Sequence, residues 1–270
     1  MAGRVEGKVA FITGAARGQG RSHALRLAEE GADIIAVDLA SPIPNIDYPS
    51  STEEDLAETV RMVEALDRRI IATKTDVRDR DALRLAIESG VGQLGRLDIV
   101  VANAGICVID DWKSTSAEVW DQTIGTNLTG VWNTVSLSAQ HLIDAGGGSI
   151  IMTSSAAGLK GLPFLSAYVA AKHGVVGLMR AYATELAEYN VRVNSVHPTG
   201  VDTPMGTLGG GNFGPLLEAH PKLGGMLANL LPVEITQPVD ISNAVLFLAS
   251  DESRYVTSLT MTVDAGNTQY

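Results

Sequence analysis

Cysteine is almost absent. Cys107 is the only one in 270 residues, so an internal disulfide is excluded and no thiolate pair exists to hold a structural zinc. Histidine is also sparse: His23, His141, His173, His197 and His220 show no ligand spacing, which leaves them structural or solvated roles and predicts no metal site. No apolar run approaches the ~18–20 residues of a membrane helix. The opening MAGRVEGKVAFITG has no signal-peptide core, so a cytoplasmic location without membrane contact is expected. Bases are outnumbered, 20 Lys and Arg against 31 Asp and Glu for a formal charge of −11. With no Lys/Arg block to break that balance, nucleic acid is not expected as a partner. What remains is ordinary material for a core, 45% hydrophobic and 19% charged. α/β chains of about 250 residues commonly form one domain, and one domain over residues 1–270 is expected here.

Short apolar runs alternate with helical periodicity along the chain. Val9 to Thr13 reads as a strand, and Gly20 to Glu30 as a helix with Ala24, Leu25, Leu27 and Ala28 inward. Asp33–Val37, a helix near Thr52–Leu66, Ile70–Lys74, a helix from about Asp79, and Asp98–Asn103 follow. Then come a long helical pattern from about Ala117 to Ala145, strand Ser149–Ser155, a helix around Tyr168–Tyr189 and strand Val191–His197. A helix near Pro238–Ala249 and strand Leu259–Val263 close the series. Continuous rather than alternating apolar strands require cover on both faces. The predicted fold is a Rossmann-type, doubly wound parallel α/β sheet of about seven strands with helices on both faces. Two segments resist assignment: the Pro-rich stretch about 39–51 and the Gly-rich stretch about 201–232. Long irregular segments of this kind are functional or disordered.

Gly14-Ala15-Ala16-Arg17-Gly18-Gln19-Gly20 lies where the first strand gives way to the first helix. Glycines there let the backbone turn tightly and bring a pyrophosphate against the helix N-terminus. Asp38 ends the second strand 18 residues beyond Gly20, near the ~20 of a carboxylate that binds an adenosine ribose, which points to NAD. Arg17 argues the other way, since a guanidinium attracts the 2′-phosphate of NADP; Asp38 carries more weight because it would face the hydroxyl pair directly. Asp76-Val77 and Asn103-Ala104-Gly105 lie at further carboxyl ends of strands, the edge where such sheets bind ligands. Asp76 reads equally as a helix cap, and Asn103 as a partner for loop amides.

Tyr168 and Lys172 stand four apart on a predicted helix, on one face, and Ser155 ends the strand before it. A phenol is a poor base at pH 7, but an adjacent ammonium and an oxidised nicotinamide both favour the phenolate. Ser155 supplies a hydrogen bond to a substrate oxygen, and Asn127 is placed to hold water or Lys172 in a proton relay.

Together these residues resemble the short-chain dehydrogenase/reductase family over almost the whole chain. The family's glycine pattern appears as Thr13, Gly14, Gly18 and Gly20, its sheet-edge motif as Asn103-Ala104-Gly105, and its tetrad as Asn127, Ser155, Tyr168 and Lys172. The resemblance implies that Tyr168 is the general acid/base, Ser155 orients the carbonyl or alcohol oxygen, Lys172 binds nicotinamide ribose and tunes Tyr168, and Asn127 completes the relay. It also implies cofactor contacts at Gln19, Leu39, Pro198, Val201 and Thr203, with Thr203 on the nicotinamide amide. Most members have Pro-Gly where this chain has Pro198-Thr199-Gly200, which shifts the register of Thr203. The segment DLASPIPNIDYPS, with Gly105-Ile106-Cys107 and HPTGVDTPM, is similar to the mycofactocin-coupled, carveol-dehydrogenase-like subfamily. That similarity implies that the segment folds over NAD, that NAD exchanges poorly, that a mycofactocin-type carrier removes the electrons, and that the assembly is a homotetramer built on the long helices. The C-terminal tail Asn267 to Tyr270 is the segment that would reach a neighbouring subunit.

Trp112, Met205, Leu208, Phe213, Met226 and Leu230 are expected to border the substrate pocket and favour a hydrophobic alcohol or ketone. Glycines between Gly206 and Gly225 suit a lid, and Cys107 is expected to be a small buried hydrophobe. An ordinary ketone reductase with freely exchanging NAD(P), and a non-catalytic nucleotide-binding scaffold, stay open as alternatives.

Overall fold

The computed structural model describes residues 3–207 and 213–269. Seven strands, β1 (Val9–Thr13), β2 (Asp33–Asp38), β3 (Ile70–Lys74), β4 (Ile99–Ala102), β5 (Gly148–Thr153), β6 (Val191–Pro198) and β7 (Thr260–Val263), form one sheet of order β3-β2-β1-β4-β5-β6-β7. Every pairing is parallel. The helices are α1 (Gly18–Glu29), α2 (Glu53–Glu64), α3 (Arg80–Leu94), α4 (Ala117–Ile124), α5 (Gly130–Asp144), α6 (Ser166–Glu185), α7 (Pro204–Thr207), α8 (Phe213–Ala219) and α9 (Pro238–Ala249).

Strand alternation divides the core between the two faces of the sheet. Ala10, Ile12, Ile34, Ile99 and Ile151 pack against Leu27 of α1 and Val245 and Leu248 of α9. Phe11, Ile35, Val100 and Ile150 face the other way, onto Ile87 of α3, Val135 of α5 and Met179 of α6. Strand order reverses between β1 and β4, and a crevice opens there at the carboxyl ends of the strands, where an open α/β sheet takes its ligand. This is the doubly wound sheet the periodicity predicts.

Two local features depart from the sequence expectation, in the helical stretch 117–145 and in the stretch 201–232. The single helix expected over 117–145 is two, because a π-helical turn at Gly125–Thr129 interrupts it; one wide turn leaves the apolar pattern nearly unchanged, so periodicity cannot register it. The cap of α2 is Thr52, whose Oγ1 accepts from Asp55 N at 3.1 Å while Asp55 accepts from Thr52 N at 2.8 Å. The stretch 201–232 contains α7, α8 and a 3₁₀ segment at Pro221–Leu227. Leu208, Gly209, Gly210 and Gly211 lie outside the described residues. The stretch 39–51 does remain free of helix and strand.

Candidate active site

At the switch point the backbone needs its glycines. Gly14 has φ +69°, and a Cβ on it would come 2.9 Å from Ala104 Cα; a Cβ on Gly20 would sit 1.9 Å from the Gly14 carbonyl. Gly18, at φ +56°, lies under Thr203, whose methyl would be 3.1 Å from an added Cβ. A concave backbone kept open at its three glycines thus leads into the N-terminus of α1, which is the shape and polarity that suit a pyrophosphate. The cleft runs from there past Asp38, Leu39, Asp76, Val77, Asn103, Ala104, Gly105 and Thr203.

Asp38 is buried and accepts from Ala16 N at 2.9 Å, Ala40 N at 3.0 Å and Ser51 Oγ at 2.6 Å. It therefore orders the loop edge as well as facing the cleft. Arg17 donates to the Pro49 carbonyl, so its guanidinium is engaged by the 39–51 segment. Asp76 is not a cap: Asp79 caps α3, and Asp76 pairs with Arg78, Nη2 to Oδ2 at 2.6 Å. Asn103 ties β4 to β1, donating through Nδ2 to the Thr13 carbonyl at 3.0 Å.

A second cavity, about 280 Å³, adjoins the first. Gln19, Asn103, Gly105, Thr203 and Met205 border both, while Ser155, Tyr168, Lys172, Pro198 and Val201 border the second. The Oε1 of Gln19 is buried at this junction with no partner among the described residues. Tyr168 and Lys172 project from one face of α6, with Nζ 5.4 Å from the phenol ring centre. Burial pushes the phenol above its ordinary value, Cys107 adds to this, and the neighbouring Ser155 hydroxyl opposes it. Lys172 is buried and donates to the Thr153 carbonyl at 2.8 Å; loss of solvent brings its ammonium down to about 8.

Ser155 Oγ accepts from Ala157 N at 3.1 Å. Behind it lies His197, a residue that sequence reasoning missed. Its Nδ1 is 2.9 Å from the Ser155 carbonyl and its Nε2 is 2.8 Å from Ser195 Oγ. A carbonyl only accepts, so Nδ1 carries the proton and Nε2 accepts from Ser195. Burial lowers this ring to about 4, and it is neutral at pH 7. The available signal was strand alternation, which puts residues 195 and 197 on one face of β6.

Asn127 sits in the π turn, fully buried, but its amide is committed to the Ile106 backbone: Oδ1 accepts from N at 2.8 Å and Nδ2 donates to O at 2.7 Å. It still lies near Lys172, since a Cβ on Gly105 would be 3.4 Å from Asn127 Oδ1 and 3.6 Å from Lys172 Nζ.

Of the expected apolar lining, Met205 and Phe213 face the second cavity. Trp112 does not; it is 78% exposed, in the turn before α4. Met226 and Leu230 are also exposed, and Leu227 takes the lining position instead. Ile109, Leu162 and Leu165 complete the wall. Cys107 is a wall residue too, its thiol pushed up to about 12 by burial.

The 39–51 segment closes over the cleft as a strap. Gln122 Nε2 donates to the Pro44 carbonyl at 2.8 Å, Asn45 donates to Gln122 at 3.2 Å, and Tyr48 is 8% exposed with its ring in the cleft wall.

Residues 8–208 match the family described as short chain dehydrogenase. The chain belongs to the short-chain dehydrogenase family. Among relatives of this oxidoreductase family, (-)-trans-carveol dehydrogenase from Rhodococcus erythropolis is 50% identical, with 98% of this chain and 99% of that one covered. Carveol dehydrogenase from Mycobacterium avium, solved in complex with NAD, superposes with a TM-score of 0.93 at 53% identity over 99% and 100% of the two chains. A short chain dehydrogenase from Mycobacterium paratuberculosis, solved bound to NAD, gives a TM-score of 0.97 at 51% identity over 99% and 100%.

Proposed function

We propose that the protein is an NAD-dependent dehydrogenase that interconverts a hydrophobic, cyclic secondary alcohol and its ketone. The observation that carries this reading is that Ser155, Tyr168 and Lys172 line one apolar cavity directly adjoining a glycine-lined dinucleotide cleft. The cleft fits NAD: its glycines leave room for the pyrophosphate, Asp38 faces a ribose hydroxyl pair, and Gln19 Oε1 is a buried acceptor awaiting a donor. Asp38 would repel a 2′-phosphate, and Arg17, the one residue in the loop that would attract it, is turned to Pro49.

When bound, NAD supplies the hydride acceptor, nicotinamide C4. Tyr168 Oη takes the proton of the substrate hydroxyl. Ser155 Oγ holds the same oxygen, so that the carbinol C–H points along the cleft. The Lys172 ammonium, fixed by Thr153 and 5.4 Å from the phenol ring centre, favours negative charge on the phenol. Asn127 contributes by fixing Ile106 and the wide turn it occupies, next to the lysine. The cavity wall of Ile109, Leu162, Leu165, Phe213 and Leu227 excludes water and selects apolar rings. The similarity to carveol dehydrogenases supports such a substrate.

The strap over the cleft supports a finer reading: NAD stays on the protein between turnovers, and a mycofactocin-type carrier accepts the electrons. Assembly as a homotetramer through α4, α5 and α6 fits the half-exposed Trp120 and Trp132 on that face. The test is a single turnover. Purified, desalted protein mixed with carveol is expected to gain absorbance at 340 nm in stoichiometric amount and then stop until an artificial electron acceptor is added. No absorbance change with carveol or any other cyclic alcohol, with NAD demonstrably bound, would contradict the assignment.

A further inference from the structure

The chain from Asn103 to Asp110 is the partition between the two cavities: Ala104 and Ile106 face the cleft, Cys107 and Ile109 face the substrate side, and Asn103 and Gly105 border both. Its backbone is tied down at four places. Thr13 Oγ1 accepts from Asn103 N at 3.0 Å and Ala104 N at 3.1 Å, and Asn127 brackets Ile106 at 2.8 Å and 2.7 Å. Asp110 N donates to the Phe164 carbonyl at 2.9 Å. The fourth tie is different in origin: Cys107 N donates to Tyr48 Oη at 3.0 Å, and Tyr48 belongs to the strap. Three ties persist whatever the strap does; the one at Cys107 exists only when the strap is down.

We propose that Tyr48 is a positioning residue that couples strap closure to the shape of the substrate cavity, through its hydrogen bond to the Cys107 amide. This rests on the dehydrogenase reading above and deepens it. With the strap lifted, the Cys107 N–H loses its partner, and the stretch bearing Cys107 and Ile109 is anchored only at Ile106 and Asp110. With the strap down, the phenol sets that stretch in place against a bound alcohol. Coupling between two binding events is reciprocal: if a closed strap favours the alcohol, a bound alcohol must favour the closed strap and tighten cofactor binding by the same factor, which is read as slower release.

The test uses NADH-loaded protein with carveol, a pair that cannot react, and follows NADH release by its fluorescence. In the wild-type protein saturating carveol is expected to slow release at least ~5-fold, the lower end of ordinary coupling. Tyr48→Phe keeps the ring and removes only the acceptor; it is expected to release NADH faster, to cut the carveol effect below about 2-fold, and to raise KM for carveol with kcat little changed. Asn45→Ala loosens the strap at Gln122 without touching Cys107, so it should speed release yet keep the carveol ratio. If Tyr48→Phe is not recovered folded, Tyr48→Leu serves the same comparison. Full retention of the ratio in the Tyr48 variant, or no ratio in the wild type, overturns the coupling and leaves the dehydrogenase standing. Failure of wild-type protein to bind NADH at all overturns both.

Discussion

Ser155 lies two residues past the end of β5 and caps the short 3₁₀ turn Ala156–Gly158, so its direction depends on its neighbours. The neutral ring of His197 bridges Ser195 and the Ser155 carbonyl. Replacing it by a side chain that cannot do both should let the serine drift. For His197→Phe, kcat with a cyclic alcohol is expected to fall ~10-fold while NADH affinity, measured by fluorescence titration, stays the same; misplacement of an orienting group costs rate, not cofactor binding. Asp38→Asn should narrow the preference for NAD over NADP by ~10-fold, about the effect of removing one unfavourable charge contact, as read from kcat/KM with each cofactor. That Tyr168, Lys172 and Ser155 meet at one cavity was legible from helix spacing and the neighbouring strand. His197 was legible only as a structural or solvated histidine, because its partners, Ser195 Oγ and the Ser155 carbonyl, are brought to it by the fold. Trp112 misled for a related reason: hydrophobicity tells that a residue wants cover, but not whether the loop gives it.

Among the elements, the glycine turn and the strap contrast in how much they reveal. The turn's requirement is local and sterically hard: Gly20→Ala would drive a methyl into the Gly14 carbonyl and is expected to abolish NADH binding. Gly92 in α3, by contrast, has open space beyond its Cβ position; Gly92→Ala should leave binding intact and raise stability by about 0.5–1 kcal/mol, visible as a higher Tm. Both outcomes are read from thermal melts with and without NADH. The strap could be recognised as an insertion from its prolines, but its partners lie far away in sequence, Tyr48 meeting Cys107 and Asn45 meeting Gln122. Pairings at such separation leave no periodic trace. The same holds for the π turn between α4 and α5, which changes the path of the backbone and barely disturbs the spacing of apolar residues.

For the molecule as a whole, the doubly wound sheet and its cover on both faces were readable because every strand must be covered on both sides, a demand that marks the sequence continuously. Burial of polar rings was not, and it has a consequence for acid stability. Burial lowers His23 to about 3 and His197 to about 4, whereas in the unfolded chain both titrate near about 6.5. The unfolded state therefore takes up protons first as pH falls, and stability is full above pH about 6.5 and lost below it. Two protons at about 1.36 kcal/mol per pH unit each give a loss approaching about 2.7 kcal/mol per unit, and urea unfolding between pH 7 and 5 will show that slope. A flat profile in that window would mean the rings charge in the folded protein. At the scale of assembly, the proposed homotetramer predicts that Trp132→Glu, which also removes the ring beneath Arg80, sediments as a smaller species than the wild-type protein.

The proposed function turns on one act, the removal of a hydroxyl proton by Tyr168 beside a bound dinucleotide. Tyr168→Phe deletes only that oxygen. Single-turnover absorbance at 340 nm with NAD-loaded protein and carveol should then show a rate at least ~10²-fold below wild type, with NADH affinity within about twofold of wild type. A Phe variant that reduces its NAD at the wild-type rate would contradict the account.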